Sequence, residues 1–304
     1  MGTILPRQGG GGDTIVDGNV GAAPRVAKAL ACSAPAADCW RGPMSAVRRL
    51  LLTALPKVLL SRLTGFMCSL PLPERLRPRL FGWFARRYGA TLEEAAAPPS
   101  EFRSLQAFFR RALRPGARPI ASTALVWPCD GRIVTTGPVQ GGRISQIKGN
   151  DYELADLLGD RALAAALEGG SQATIYLAPG DYHRVHSAFA GQVEAVVPLP
   201  GTLFPVNPPA VRCIDRLFAR NSRHVFHCRL RTGQPAALVM VGAYNVGGTL
   251  VTKPGGPVSP GEELGQFGFG STVVAIVGPG AATFLDLPPE QRVRMGQAAS
   301  GVMA

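Results

Sequence analysis

The chain has 304 residues, and its 46% hydrophobic content supplies enough apolar side chain for a sizeable core, which excludes disorder throughout. A formal net charge of +12 favours an anionic partner: nucleic acid, an acidic lipid surface or an acidic ligand. No apolar run approaches the roughly 18 residues of a spanning helix, and the first residues lack the order of a signal peptide, so a chain that neither crosses a membrane nor is secreted is expected.

Residues 1–43 include "RQGGGGDTIVDGNVGAAP" and "ACSAPAADCWRGP", rich in Gly, Ala and Pro without sustained periodicity, and read as a disordered extension. Met44 opens a better folding signal and is an alternative start. Residues 44–121 read as a helical region: Leu51, Leu55, Leu59 and Leu63 recur four apart, interrupted by Arg48, Arg49, Lys57 and Arg62, and Pro56 should break or restart the helix. The segments "RLRPRLFGWFARRYGA" and "SLQAFFRRALRPGARPI" continue the basic, aromatic pattern. Such amphipathic helices suit an anionic bilayer surface, and equally suit the outer layer of a soluble domain.

From residue 122 to 304 the texture changes to short β-branched runs between Gly, Pro and Asp. Among them are "GRIVTTGPV", "QATIYLAPG", "GQVEAVVPLPG", "RHVFHCRLRTG", "AALVMVGAYNVGGTLV" and "STVVAIVG". These indicate a mainly antiparallel β domain with one helical interlude, "YELADLLGDRALAAALEGG", and so an α+β chain with amphipathic helices before a mainly antiparallel β domain.

"APGDYHRVHSAF" holds two of the four histidines. If Asp181 caps a short helical turn, His183 and His186 share a face and look into one space; otherwise they are polar residues of a surface loop. Asp130, before Gly131 in "VWPCDGRIV", is either a turn residue or a carboxylate that orients a histidine. His224, His227 and Cys228 resemble a zinc set, but "RHVFHCRL" reads as a strand, which sends residues three apart to opposite faces, so no metal is expected. The six cysteines, Cys32, Cys39, Cys68, Cys129, Cys213 and Cys228, lack a CxxC or a regular spacing and read as reduced structural thiols. No nucleic-acid-binding pattern accompanies the basic residues. In "GQFGFGSTVVAIV", Ser271 follows Gly270 where a glycine-rich turn becomes an apolar strand. Ser271, His186 and Asp130 would make a triad, although GST is not the G-x-S-x-G elbow of a hydrolase.

The ordered stretches "LPKVLLSRLTG", "FRSLQAFFRRALRPGARPI", "CDGRI", "QIKGNDYELADLLG", "YLAPGDYHRVHSAFAGQV", "PGTLFPVN", "LFARNSR", "VGAYNVGGT" and "GEELGQFGFGST" resemble the pyruvoyl-dependent phosphatidylserine decarboxylases of the bacterial membrane-associated type. The resemblance runs from about Leu55 to the C-terminus. It implies a proenzyme cleaved between Gly270 and Ser271 into chains 1–270 and 271–304, which remain together as a heterodimer; whether that assembles further is open. It places the self-processing serine at Ser271, the base at His186 and its orienting carboxylate at Asp130. His183 carries over as a second active-site group, for substrate binding or proton delivery. Ser271 would attack the Gly270 carbonyl, give an ester by N-to-O acyl shift, and become a covalent pyruvoyl cofactor after elimination and loss of ammonia. Its ketone would form a Schiff base with phosphatidylserine and release carbon dioxide and phosphatidylethanolamine. A lipid substrate implies peripheral attachment to the cytoplasmic side of an anionic cell membrane. Two departures are Phe269, where leucine is more usual, and a segment 252–260 that looks short. The rival readings are a hydrolase using an intact Ser271 and a peripheral membrane protein whose β domain only scaffolds.

Overall fold

A computed structural model describes residues 57–145, 151–206, 214, 216–243, 248–268 and 271–301, with side chains from residue 63 onward. The expected extension 1–43 and the alternative start Met44 lie outside the described residues, as does Gly270. Among the described residues three helices come first: α1 (Lys57–Ser69), then after a 3-10 turn α2 (Arg77–Tyr88), and α3 (Leu105–Phe109). Pro78 stands in the first turn of α2, where a missing N–H costs nothing, and Gly89 ends the helix in a left-handed conformation at φ 74°. Ser104 caps α3, its hydroxyl accepting from Ala107 N at 3.1 Å.

The basic, aromatic segments divide their side chains between two environments. Phe81, Phe84, Phe108 and Phe109 are buried together, Phe81 stacked on Phe108 at 4.8 Å. Leu63, Phe66, Met67, Leu70, Leu76 and Trp83 are exposed. Part of the region is therefore a small core of its own, and part presents apolar side chains to solvent. No helix among the described residues is long and apolar enough to cross a membrane.

The remainder is mainly antiparallel β sheet. Ten strands form one sheet in the order β10 (Gly256–Val258), β6 (Gly191–Leu199), β7 (Arg223–Leu230), β8 (Pro235–Gly242), β12 (Ser271–Val277), β4 (Ser171–Leu177), β1 (Gly131–Gln140), β2 (Arg143–Ile144) and β3 (Tyr152–Glu153), with β13 (Arg292–Val293) also on β1. The interlude folds as β3, α4 (Leu154–Leu158) and α5 (Arg161–Ala166), and α6 (Leu217–Arg220) precedes β7. A second sheet pairs β5 (Arg184–His186), β11 (Glu263–Gln266) and β9 (Leu250–Val251).

β12 lies between β4 and β8, and its side chains alternate between two cores. Val273, Ala275 and Val277 join Trp127, Ile175, Val185, Leu264 and Phe267. Val274 and Ile276 join Leu154, Leu157 and Phe218 beneath the helical interlude. Burial of both faces is why "STVVAIV" is an unbroken apolar run after its first two residues. Gly131, where β1 begins, has no room for a side chain: a Cβ there would lie 2.5 Å from the Tyr176 carbonyl oxygen.

One local expectation is corrected. Asp181 does not open a helical turn; its carboxylate accepts from Ala178 N at 2.7 Å, closing the turn behind it, and the chain then extends into β5. His183 and His186 thus sit on extended chain, where residues three apart do not share a face.

Candidate active site

β4 ends at Leu177, which is paired with Ser271 at the head of β12; Gly242 of β8 pairs with Ser271 from the other side. The Ser271 side chain is held on the same face as Val273, toward the core that includes Val185, Leu264 and Phe267. Ser271 is fully buried, and its Oγ has no hydrogen-bond partner among the described residues; the same holds for Thr272 Oγ1 on the opposite face. A buried hydroxyl left unpaired costs about 1–3 kcal/mol, so these two need a reason to be there.

From Leu177 the chain turns through Gly180 and Asp181 into the histidine motif. The buried Arg111 guanidinium pins that turn, its Nη2 donating to the carbonyls of Gly180 at 3.0 Å and Asp181 at 3.3 Å. His183 follows, with Nδ1 2.8 Å from the Asp181 carbonyl oxygen and its ring edge-on to Phe109. A carbonyl can only accept, so Nδ1 carries the proton and Nε2 presents a lone pair, buried and unpartnered. Burial pushes the imidazole down to about 4, with Arg111 adding to the effect, so His183 is neutral at pH 7. The His183 carbonyl accepts from Phe267 N at 2.9 Å, tying the histidine to the chain that leads to Ser271.

His186 is engaged at both ring nitrogens: Nδ1 lies 2.8 Å from the Gly261 carbonyl oxygen and Nε2 3.1 Å from the Tyr182 hydroxyl. Burial lowers its pKa too, against the Gly261 hydrogen bond and the charges of Glu263 and Asp130. Asp130 is close to this group, since His186 N donates to Pro128 O at 2.8 Å, but its carboxylate is turned elsewhere. Arg118 donates to it through Nε at 3.0 Å and Nη2 at 2.5 Å, and Met295 N donates at 2.8 Å. Arg118 Nη2 also reaches Glu94 at 2.8 Å, and Glu94 pairs with Arg294. The direct Asp130 to His186 contact expected from the sequence is therefore replaced by two shells: Asp130 with Arg118, and His186 with Tyr182.

A polar cleft reaches this group from outside, lined by Asp130, Arg118, Arg111, Asp181, Tyr182 and Arg292. Tyr182, Arg118 and Glu94 are not singled out by the sequence, and Arg111 is marked there only as a basic residue of a helical segment. Tyr182 lies within "DYHRVH", and Arg111 and Arg118 within "FFRRALRPGARPI", so motif membership was the available signal. His224 and His227 sit on β7 and part company, His224 Nδ1 at 2.5 Å from Thr249 Oγ1 and His227 facing Asp160.

A buried serine hydroxyl at the head of a central strand, without a partner among the described residues, and two imidazoles on the chain that follows β4 are groups suited to proton transfer. The family model for phosphatidylserine decarboxylase matches residues 105–300. The phosphatidylserine decarboxylase proenzyme of Pseudomonas aeruginosa is 42% identical over 271 residues, covering 80% of this chain and 92% of its own. Those of Xanthomonas axonopodis pv. citri and an Anaeromyxobacter species are also 42% identical, covering 80% and 82% of this chain and 95% and 96% of theirs. The chain belongs to the phosphatidylserine decarboxylase family.

Proposed function

We propose that this chain is a proenzyme that cuts itself between Gly270 and Ser271 and, as chains 1–270 and 271–304, decarboxylates phosphatidylserine to phosphatidylethanolamine at a membrane surface. The observation that carries the reading is the Ser271 hydroxyl, fully buried and without a partner at the head of a strand paired on both sides. A serine kept only for structure would be hydrogen-bonded there; a nucleophile is left free for the carbonyl it attacks.

In the precursor, His186 takes the Ser271 proton as Oγ adds to the Gly270 carbonyl, and Asp130 acts on His186 through its field, since Arg118 and Met295 N hold its oxygens. His183, with its free Nε2 lone pair, serves the lipid reaction by holding or returning a proton. The surroundings of Ser271 fit a covalent pyruvoyl group: pairing with Leu177 and Gly242 anchors the residues that would follow it, and its buried Oγ has no hydrogen-bond partner among the described residues. The group's ketone supplies an electrophile for the substrate amine and an acceptor for the electrons released with carbon dioxide. The exposed Phe66, Met67, Leu70 and Trp83, among the basic residues Arg75, Arg79, Arg86 and Arg87, form the surface that meets an anionic bilayer on its cytoplasmic side.

A second reading has one specific observation in its favour. His183 Nε2 is free in the precursor whereas His186 Nε2 is occupied, which would make His183 the processing base. Gel analysis with intact-mass measurement tests both. Wild type should yield the 271–304 fragment with a blocked N-terminus, and Ser271→Ala should stay whole and inactive; cleavage of that variant would refute the nucleophile. His186→Ala should remain uncut while His183→Ala is processed, and the reverse result would hand the base to His183.

A further inference from the structure

Tyr182 lies inside the histidine motif, and nothing above gives it a role in the chemistry. Its ring is buried and stacks on His186 with centroids 5.6 Å apart and 28° between planes. Its hydroxyl lies 3.1 Å from His186 Nε2. Because Nδ1 must donate to the Gly261 carbonyl, Nε2 is the acceptor nitrogen, and the phenol O–H is the group that occupies it.

We propose that Tyr182 is a positioning residue for self-processing, holding His186 Nε2 as a proton acceptor in the precursor and accepting the new Nε2–H once the Ser271 proton has arrived. The proposal rests on the assignment of His186 as the processing base. In the step it serves, the Ser271 O–H proton passes to Nε2, an Oγ to carbon bond forms at Gly270, and the carbonyl π pair moves to its oxygen. A phenol suits both ends of this transfer, since a rotation of the O–H bond first vacates the single Nε2 lone pair for the Ser271 proton and then leaves the phenol oxygen as acceptor, without moving a heavy atom. Burial holds Tyr182 protonated, pushing its pKa up to about 12, so the partner of Nε2 is a neutral hydroxyl and not a phenolate.

The charges facing the pair come from three directions. Arg184 of β5 and Glu263 of β11 bond each other at 2.7 Å, and Asp130 with Arg118 stands ahead of β1. Glu263 and Asp130 favour a protonated His186 and Arg184 opposes it. Each carboxylate is already paired with an arginine, which leaves the Tyr182 hydroxyl as the contact that sets the state of Nε2. Tyr182 also lines the polar cleft, so it joins the buried imidazole to the solvent side.

Tyr182→Phe keeps the stacked ring and removes only the hydroxyl. The full chain, pulse-labelled in cell-free translation and shifted to buffers spanning about pH 5 to 8, gives the processing rate of wild type, Tyr182→Phe and His186→Ala. Tyr182→Phe should be slower by about tenfold, the worth of one hydrogen bond at a reacting group. Its acidic limb should move to higher pH by about 0.5, because the donor that favoured neutral His186 has gone. A wild-type rate overturns the proposal, and so does a slower rate with an unmoved limb, which would mean packing alone. If His186→Ala is processed normally, the base assignment has failed and the role of Tyr182 falls with it. Imidazole nitrogen NMR on the uncut Ser271→Ala chain is the measurement independent of processing. There Tyr182→Phe should shift the Nε2 resonance while Nδ1 stays protonated, and an unshifted Nε2 overturns the proposal.

Discussion

Acidification should unfold this protein through His183. The group is fully buried and its pKa lies at about 4 in the folded chain against 6.5 when free. Between those values the unfolded chain binds a proton that the folded chain refuses, so stability rises with pH across that window and falls as pH drops from about 6.5 toward 4. Below about 4 both states carry the proton, and this contribution to the slope vanishes. Burial of the imidazole is the main cause and the nearby Arg111 guanidinium a smaller one, partly offset by the hydrogen bond to Asp181 O. The full interval corresponds to roughly 3 kcal/mol, a large share of the 5–15 kcal/mol that holds a typical domain. The assay is urea unfolding of the Ser271→Ala chain, which the proposed function requires to stay whole, at a series of pH values with and without His183→Asn. Asparagine offers an N–H where Nδ1 offers one, so the bond to Asp181 O can survive while the titration is lost. Carboxylates and His186 contribute to acid lability in both proteins, and the difference between the curves isolates His183. Equal pH dependence in the two would refute the reasoning, because it would mean that the burial of this imidazole exacts no penalty for charging it.

Two further outcomes are expected. Arg118→Met strips the guanidinium from Asp130 and Glu94, whose side chains are only 11% and 22% exposed, and should cost about 3 kcal/mol of stability in the uncut chain; a loss below about 1 kcal/mol in urea unfolding would contradict the central place given to this pair. Phe66→Ser combined with Trp83→Ser removes two exposed apolar side chains, each worth about 2 kcal/mol when buried, and should weaken binding to anionic vesicles by at least about tenfold in cosedimentation. Unchanged binding would put the membrane surface elsewhere.

The main sheet was legible because burial on two faces writes itself into composition. "STVVAIV" and "AALVMV" are continuous apolar runs, and they became the adjacent strands β12 and β8. The small sheet was not legible. β5, β9 and β11 are two to four residues long, and β5 finds β11 far along the chain, with His186 paired to Glu263, so no local pattern announces them. The misread turn at Asp181 has the same origin. Asp181 has the residue type of a helix cap, but Arg111 holds the carbonyls of Gly180 and Asp181, and β11 offers the next residues a ladder. Tertiary partners overrode a local preference. The candidate site residues were readable from spacing and resemblance, whereas their partners Arg118 and Tyr182 became visible only when the chain was folded.

The site's electrostatics follow from which groups were given to the histidines. A buried carboxylate bonded to an imidazole draws it toward the imidazolium, whereas a backbone carbonyl fixes the tautomer and adds no full charge. His183 and His186 each have a carbonyl at Nδ1, from Asp181 and Gly261, and burial pushes both toward the neutral form against those bonds. Asp130 keeps its two oxygens on Arg118 and on the amide of Met295. That amide belongs to the segment that would follow the cut, as do Arg294 on Glu94 and β13 on β1. Cleavage before Ser271 would therefore leave the short chain clasped at the carboxylate as well as sewn between β4 and β8. The amide that engages Asp130 would thus be one of the contacts holding the two chains together after such a cut.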